Sequence, residues 1–290
     1  MTTSLITVED LAVRYPGQPA DAVSGVSYTV GAGECIAFVG ETGSGKTTSV
    51  MASVGLLDSA DVRAGRLEFE GSPLLQRTPA EVRQLRRSSL GVVLQDPAAS
   101  WNPTRRIVSQ LLDTTPRKER PAALDKLVAL CERVGVTQPG DRLRRYAHEL
   151  SGGQLQRFMI AGALLHDPSV MLADEPTSAL DVSVQAELLA LLNELRRERQ
   201  LGLLLVSHDL AVVRRLADTV VVMFAGRVVE QGVTEQVMAA PRHPYTRSLM
   251  AASIGMTGPR KVPLATDIAW DPELATAATA DEDDEIGSST

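Results

Sequence analysis

The sequence predicts an α/β fold, with a mainly parallel sheet covered by helices on both faces and a helical insertion in its middle. Two observations carry this. Short apolar runs of strand length alternate with helix-period segments along most of the chain, the pattern of parallel strands joined by crossover helices. From Asp96 to Leu150 that alternation gives way to polar, helix-rich sequence, so this stretch reads as an insertion.

The elements follow in order. Ile6–Arg14 and Val26–Val30 alternate as strands, with a loop around Pro16-Gly17 between them. Ile36–Val39 is a short apolar run bounded by Gly33 and Gly40, a buried strand, and Lys46–Leu57 reads as a helix after it. Arg66–Glu70 and Leu90–Leu94 read as strands around a charged helix, Pro79–Arg87. Within the insertion Ala122–Val134 is the clearest amphipathic stretch. Strands return at Val170–Ala173, Leu203–Val206, Val220–Phe224 and Arg227–Val229, with helices at Gln154–Leu165 and Val184–Arg199 among them. After Pro241 order is expected to weaken. Ala265–Thr290 lacks apolar periodicity and reads as a disordered, solubilising tail.

A chain of 290 residues holds one large domain or two small ones. The net charge is −7, but five acidic residues cluster in Asp281–Glu285, and without them the balance is −2. That leaves no strong electrostatic footprint for nucleic acid. The two cysteines, Cys35 and Cys131, lie far apart in apolar settings and read as core residues. Their number and spacing offer neither a disulfide framework nor a zinc site. The longest apolar runs are of strand length, against the ~20 residues a membrane helix needs. Met1–Val8 lacks the marks of a signal peptide. The chain is expected to be soluble, with any membrane role reached through a partner.

Three motifs carry chemistry. Gly40-Glu41-Thr42-Gly43-Ser44-Gly45-Lys46-Thr47 fits the phosphate loop G-x-x-x-x-G-K-[ST], set between an apolar strand and a helix. Its glycines let backbone N–H groups face phosphate oxygens, and the helix start adds partial positive charge. Lys46 can reach β- and γ-phosphates, and Thr47 can place its hydroxyl on Mg2+. In Val170–Glu175 a buried strand delivers two carboxylates at its carboxyl end, where sites lie in open α/β sheets. Asp174 can hold Mg2+ through water and Glu175 can polarise an attacking water; the bland alternative is a helix-capping Asp beside a solvated Glu. Leu150-Ser151-Gly152-Gly153-Gln154 is a second glycine-rich helix start. One nucleotide does not need two such loops from a single chain, so this one makes sense across an interface with a second chain.

On these motifs the chain resembles the ATP-binding subunits of ABC transporters, over about residues 4–250. The resemblance implies a P-loop NTPase ABC cassette with an N-terminal antiparallel β part. Its expected divisions are an ATPase core at residues 1–95 and 156–240, a helical subdomain at 96–155, an extension at 241–264 and the tail at 265–290. It implies that two subunits enclose two ATP molecules head to tail. Ser151, Gly152, Gly153 and Gln154 would then serve the partner's ATP. Gln95 matches the Q-loop, touching Mg2+ and water; Ser178-Ala179-Leu180-Asp181 matches the interfacial D-loop. His208 matches the switch histidine, Tyr15 the aromatic that stacks on adenine, and Thr48 closes the nucleotide-binding set. Tyr15 could instead be a loop tyrosine, and a lone His before Asp209 reads as a helix-start residue.

Gln95–Pro103, Tyr146–Glu149 and His243-Pro244-Tyr245-Thr246 are similar to runs in the oligopeptide, dipeptide and nickel importer branch. The branch implies two permeases, a substrate-binding protein outside, a second ATPase subunit forming a heterodimer, and a place on the cytoplasmic membrane face. Cargo would be oligopeptides or dipeptides, with metal chelates the alternative and an exporter ATPase a further one. Trp101 stands where leucine is usual near the permease contact, which makes an individual coupling surface the expectation. No cysteine follows Cys131, so no iron–sulfur cluster is expected; Val262–Leu264 could be a remnant of that extension.

Overall fold

The computed structural model describes residues 4–177 and 182–255. The D-loop run at 178–181, Val262–Leu264 and the acidic tail lie outside the described residues.

The chain begins with β1 (Ser4–Arg14), β2 (Val23–Gly31), β3 (Cys35–Val39) and α1 (Lys46–Ser53). It continues through β4 (Asp61–Arg63), β5 (Arg66–Phe69), β6 (Ser72–Pro73), α2 (Pro79–Ser89) and β7 (Leu90–Val93). The expected insertion contains α3 (Ile107–Leu111), α4 (Arg120–Arg133) and α5 (Pro139–Arg142), and leads into α6 (Gly152–Ala163). Then come β8 (Val170–Asp174), α7 (Val182–Arg199), β9 (Gly202–Val206) and α8 (Leu210–Leu216). The last elements are β10 (Thr219–Phe224), β11 (Arg227–Val233), α9 (Thr234–Ala239) and α10 (Pro244–Gly255). The architecture is mixed α/β, as the alternation predicts.

The chain divides into two compact units. The first comprises Met1–Ile6, Val30–Glu34 and Glu68–Leu205. Its strands β7 and β8 run parallel, from Leu90 opposite Val170 to Val93 opposite Ala173, and β9 lies on the other side of β8. Every residue of β8 and β9 is buried, which explains why both read as unbroken apolar runs rather than alternating ones. Helix α6 packs on β7 and α4 packs on α6. The first contact is close: a Cβ on Gly91 would stand 2.6 Å from the Ala163 carbonyl oxygen. Leu127, Leu130, Cys131, Phe158, Ile160 and Leu164 are buried in this unit, each contributing roughly 1.5–3 kcal/mol for the larger apolar side chains.

The second unit comprises Thr7–Thr29, Cys35–Leu67 and Val206–Thr290. Here β3 and β10 run parallel, from Ile36 opposite Thr219 to Val39 opposite Val222. Strand β11 returns antiparallel to β10 through the Ala225-Gly226 turn. An antiparallel part is present too, with β4 pairing β1 from Ala12 opposite Arg63 to Arg14 opposite Asp61. Tyr28 of β2 meets Phe38 of β3 edge-on, with ring centroids 5.0 Å apart. Cys35, like Cys131, is a buried thiol.

Three boundaries depart from expectation. Helix α1 stops at Ser53, short of Leu57, because Gly55 takes φ +68°. Its N–H donates to the Ala52 carbonyl (3.1 Å) and the Leu56 N–H to the Met51 carbonyl (2.8 Å), the paired bonds of a Schellman stop. Helix α6 starts two residues before Gln154, because Ser151 caps it. After Pro241 order does not weaken at once: α10 runs to Gly255, anchored through buried His243, Tyr245 and Thr246. Among the described residues, no helix is long and apolar enough to cross a membrane.

Candidate functional site

In the second unit the phosphate loop joins the end of β3 to the start of α1. Gly40 has φ +145°, and a Cβ there would lie 2.2 Å from the Met223 carbonyl oxygen and 2.9 Å from Ser44 Oγ. Gly45, the residue before α1, has φ +97°. Only glycine meets both demands without displacing backbone. Gly43 has φ +84° and open space, so conformation alone selects it. The β10–β11 turn braces the loop: Gly226 donates its N–H to the Ser44 carbonyl at 3.0 Å.

Lys46 is buried at the first position of α1. Its ammonium donates to the carbonyl oxygens of Gly40 (2.9 Å) and Glu41 (2.7 Å) and lies 3.4 Å from Ser44 Oγ. The cation therefore turns back along the loop, beside the exposed residues Thr42 and Gly43. Thr47 and Thr48 occupy the first turn of α1, whose N–H groups and dipole favour an anion. The Tyr15 hydroxyl lies 3.1 Å from Thr48 Oγ1, which holds this tyrosine against the loop's helix. His208 is exposed in the turn after β9. Ser207 there donates its N–H to the Phe38 carbonyl (3.2 Å), and Asp209 caps α8 by accepting from the Ala211 N–H (2.8 Å). His208 is thus presented between a strand tether and a helix cap.

In the first unit β8 ends on buried Asp174. Glu175 follows at φ +47°, a left-handed conformation that a glutamate rarely adopts. Gln95, in the segment after β7, donates from Nε2 to Glu175 Oε2 at 2.8 Å. The turn beyond Glu175 is held by Gln156 of α6, fully buried, whose Nε2 donates to the Pro176 carbonyl at 2.7 Å. Sequence reasoning missed Gln156; its one signal was a polar residue amid the buried positions of a helix.

Ser151 accepts from the Gln154 N–H through Oγ (3.3 Å), while Gln154 Oε1 accepts from the Ser151 N–H (3.2 Å). This is a reciprocal capping box. The second glycine-rich loop therefore is a helix N-terminus, with Ser151 and Gly152 exposed. In the Gln95–Pro103 run, Asp96 Oδ1 accepts from the Ala99 N–H and Asn102 Oδ1 from the Thr104 N–H, so side chains shape its turns. Trp101 is only 8% exposed. Its indole packs inside its own chain.

Comparison with known proteins supplies the family. The family description "ABC transporter" matches residues 23–178. The oligopeptide transport ATP-binding protein OppD of Bacillus subtilis is 38% identical over 257 residues, 86% of this chain and 72% of that protein. The dipeptide transport ATP-binding protein DppD of Escherichia coli is 39% identical over 255 residues, 86% of this chain and 78% of that protein. Among solved structures, cbiO1 of Clostridium perfringens, part of the ABC transporter complex cbiONQ, superimposes with a TM-score of 0.69 at 30% identity. That match covers 82% of this chain and 91% of cbiO1. The fold also matches a dimeric ATP-binding cassette in a post-hydrolysis state with ADP and Pi, at a TM-score of 0.65 and 23% identity. With its phosphate loop, strand-end carboxylates and second glycine-rich helix start in one α/β cassette, the chain belongs to the ABC transporter family, as an ATP-hydrolysing subunit.

Proposed function

We propose that this subunit powers uptake of oligopeptides or dipeptides through partner permeases, at the cytoplasmic face of a membrane. The observation that carries the cargo class is the 38–40% identity, over 86% of the chain, to relatives named oligopeptide or dipeptide transport ATP-binding proteins. The importer-type runs Gln95–Pro103 and His243–Thr246 support the same branch. The partners proposed are a second ATP-binding subunit in a heterodimer, two permeases and an external substrate-binding protein. The proposed division keeps the helical subdomain at residues 96–155 apart from the core and the extension at 241–264.

In this reading Gly40–Thr48 binds the phosphates of ATP through loop N–H groups and the Lys46 ammonium, and Tyr15 stacks on adenine. Glu175 accepts a proton from the attacking water, with Gln95 holding its carboxylate. His208 contacts the γ-phosphate. Ser151 and Gly153 complete the partner's ATP site. Catalysis is then mainly positioning and charge stabilisation of an in-line phosphoryl transfer.

Thr47, Gln95 and Asp174, the residues proposed for Mg2+, each carry a side-chain oxygen donor. Among the described residues no group of three or more His, Cys, Asp or Glu side chains converges as a metal site. Hard oxygen donors without an all-protein cage suit Mg2+, which keeps waters and substrate phosphates as ligands. When bound, it neutralises and orients the phosphates.

Transport of radiolabelled dipeptides, oligopeptides and chelated nickel by cells carrying the wild-type chain or Glu175→Gln tests the proposal. Loss of peptide uptake alone is the expected result. Intact peptide uptake with loss of nickel uptake would reassign the cargo to metal chelates.

A further inference from the structure

Tyr245 lies 204 residues beyond Glu41 in sequence, yet its hydroxyl accepts the Glu41 N–H at 3.0 Å. That N–H belongs to the Gly40–Glu41 peptide, whose carbonyl accepts from the Lys46 ammonium at 2.9 Å. One peptide unit is therefore held at both ends, by Lys46 on its oxygen and by Tyr245 on its nitrogen. The φ of Gly40 lies far outside the range of other residues, so glycine supplies no steric brake on rotation of this peptide. External hydrogen bonds must set its orientation.

The phenol is itself firmly placed. Tyr245 is 1% exposed, and its ring packs on Phe224, the last residue of β10, at a centroid distance of 4.6 Å. The start of α10 is fixed by a buried carboxylate on β11. Glu230 accepts the Arg242 N–H (2.8 Å) on one oxygen and the His243 N–H (3.0 Å) on the other. His243 Nδ1 then accepts the Tyr245 N–H at 3.2 Å, and Pro244 opens the helix where no N–H is needed. Each residue of His243-Pro244-Tyr245 thus orients the phenol on the loop. Burial raises the phenol's pKa, the Glu41 carboxylate adds to that effect, and so the hydroxyl stays protonated at neutral pH.

We propose that Tyr245 is a positioning residue for ATP, an arm of the C-terminal helix that locks the Gly40–Glu41 peptide so that Lys46 is aimed at the phosphates. The assignment rests on the ATPase reading above and deepens it. It gives His243-Pro244-Tyr245 a task in the nucleotide site, beyond shaping the end of the chain. Sequence position alone conceals that task.

Tyr245→Phe removes the hydroxyl and keeps the ring on Phe224. Thr246→Val is the control, since Thr246 is fully buried and its hydroxyl has no hydrogen-bond partner among the described residues. Calorimetric titration of the full chain with MgATP reads the dissociation constant, and amide hydrogen exchange reads the Glu41 N–H. For Tyr245→Phe the expected results are about five- to tenfold weaker MgATP binding, the scale of one net hydrogen bond, and faster exchange at Glu41. Thr246→Val is expected to match wild type in both. If wild type binds MgATP and Tyr245→Phe matches it in affinity and in exchange, this assignment falls alone. Equal weakening in Thr246→Val would overturn it in favour of a general effect of α10. A wild-type chain that fails to bind MgATP overturns the ATPase reading and this inference together.

Discussion

Gln95 and Glu175, 80 residues apart in sequence, are joined by a 2.8 Å hydrogen bond from the amide nitrogen to the carboxylate. The carboxylate sits on a left-handed backbone, so both its direction and its conformation are imposed by surroundings. Such an arrangement suits a group that must hold one water in line with a phosphate.

Glu175→Gln preserves shape and removes the proposed proton acceptor. Hydrolysis is expected to fall by about 10²–10⁴-fold, the usual scale of a general base, while ATP binding persists. Turnover assays with size-exclusion chromatography should show an ATP-trapped dimer. Turnover at the wild-type rate would remove Glu175 from the reaction.

Lys46→Ala deletes the ammonium that three oxygens of the loop surround. Tight nucleotide binding should disappear, measured by equilibrium titration with MgATP. An unchanged dissociation constant would count against the phosphate-loop assignment.

Gly40→Ala brings a methyl group to 2.2 Å from a backbone oxygen, at a φ of +145°. Neither the Met223 carbonyl nor the loop can yield cheaply. A loss of about 1–3 kcal/mol is expected from overpacking, read from urea unfolding midpoints, together with weakened nucleotide binding. Gly43→Ala offers the contrast, because nothing lies within 4 Å of its Cβ position. Its cost should come from backbone conformation alone and be smaller.

Cys131 is buried, and desolvation with the nearby Glu132 charge pushes its thiol up to about 12. Alkylation requires the thiolate. A raised pKa leaves the thiol protonated at all working pH values, so reactivity should stay absent through pH 8 to 9 and appear only on unfolding. Mass spectrometry after iodoacetamide treatment, with and without urea, checks this. Rapid native labelling of Cys131 would contradict its burial.

Much of the fold was legible locally. Strands β3, β8 and β9 read as apolar runs because burial on both faces leaves no solvent side to alternate with. The phosphate loop was legible because three glycines needed for positive φ, Gly40, Gly43 and Gly45, fall within one short segment. Helix ends were less legible: Gly55 and Ser151 carry stop and cap signals that compete with continuing helical periodicity.

The sequence by itself determined the α/β alternation, the phosphate-loop motif Gly40–Thr47 and the two carboxylates at the end of β8, because each is written in neighbouring residues. Only the tertiary structure decided that Gln95 holds Glu175, that Gln156 holds Pro176, and that Trp101 turns inward. It alone brought Tyr245 to Glu41, across 204 residues. Such pairings arise where strands and helices from distant stretches pack together, and a hydrogen bond between side chain and backbone leaves no periodic mark in either partner's sequence.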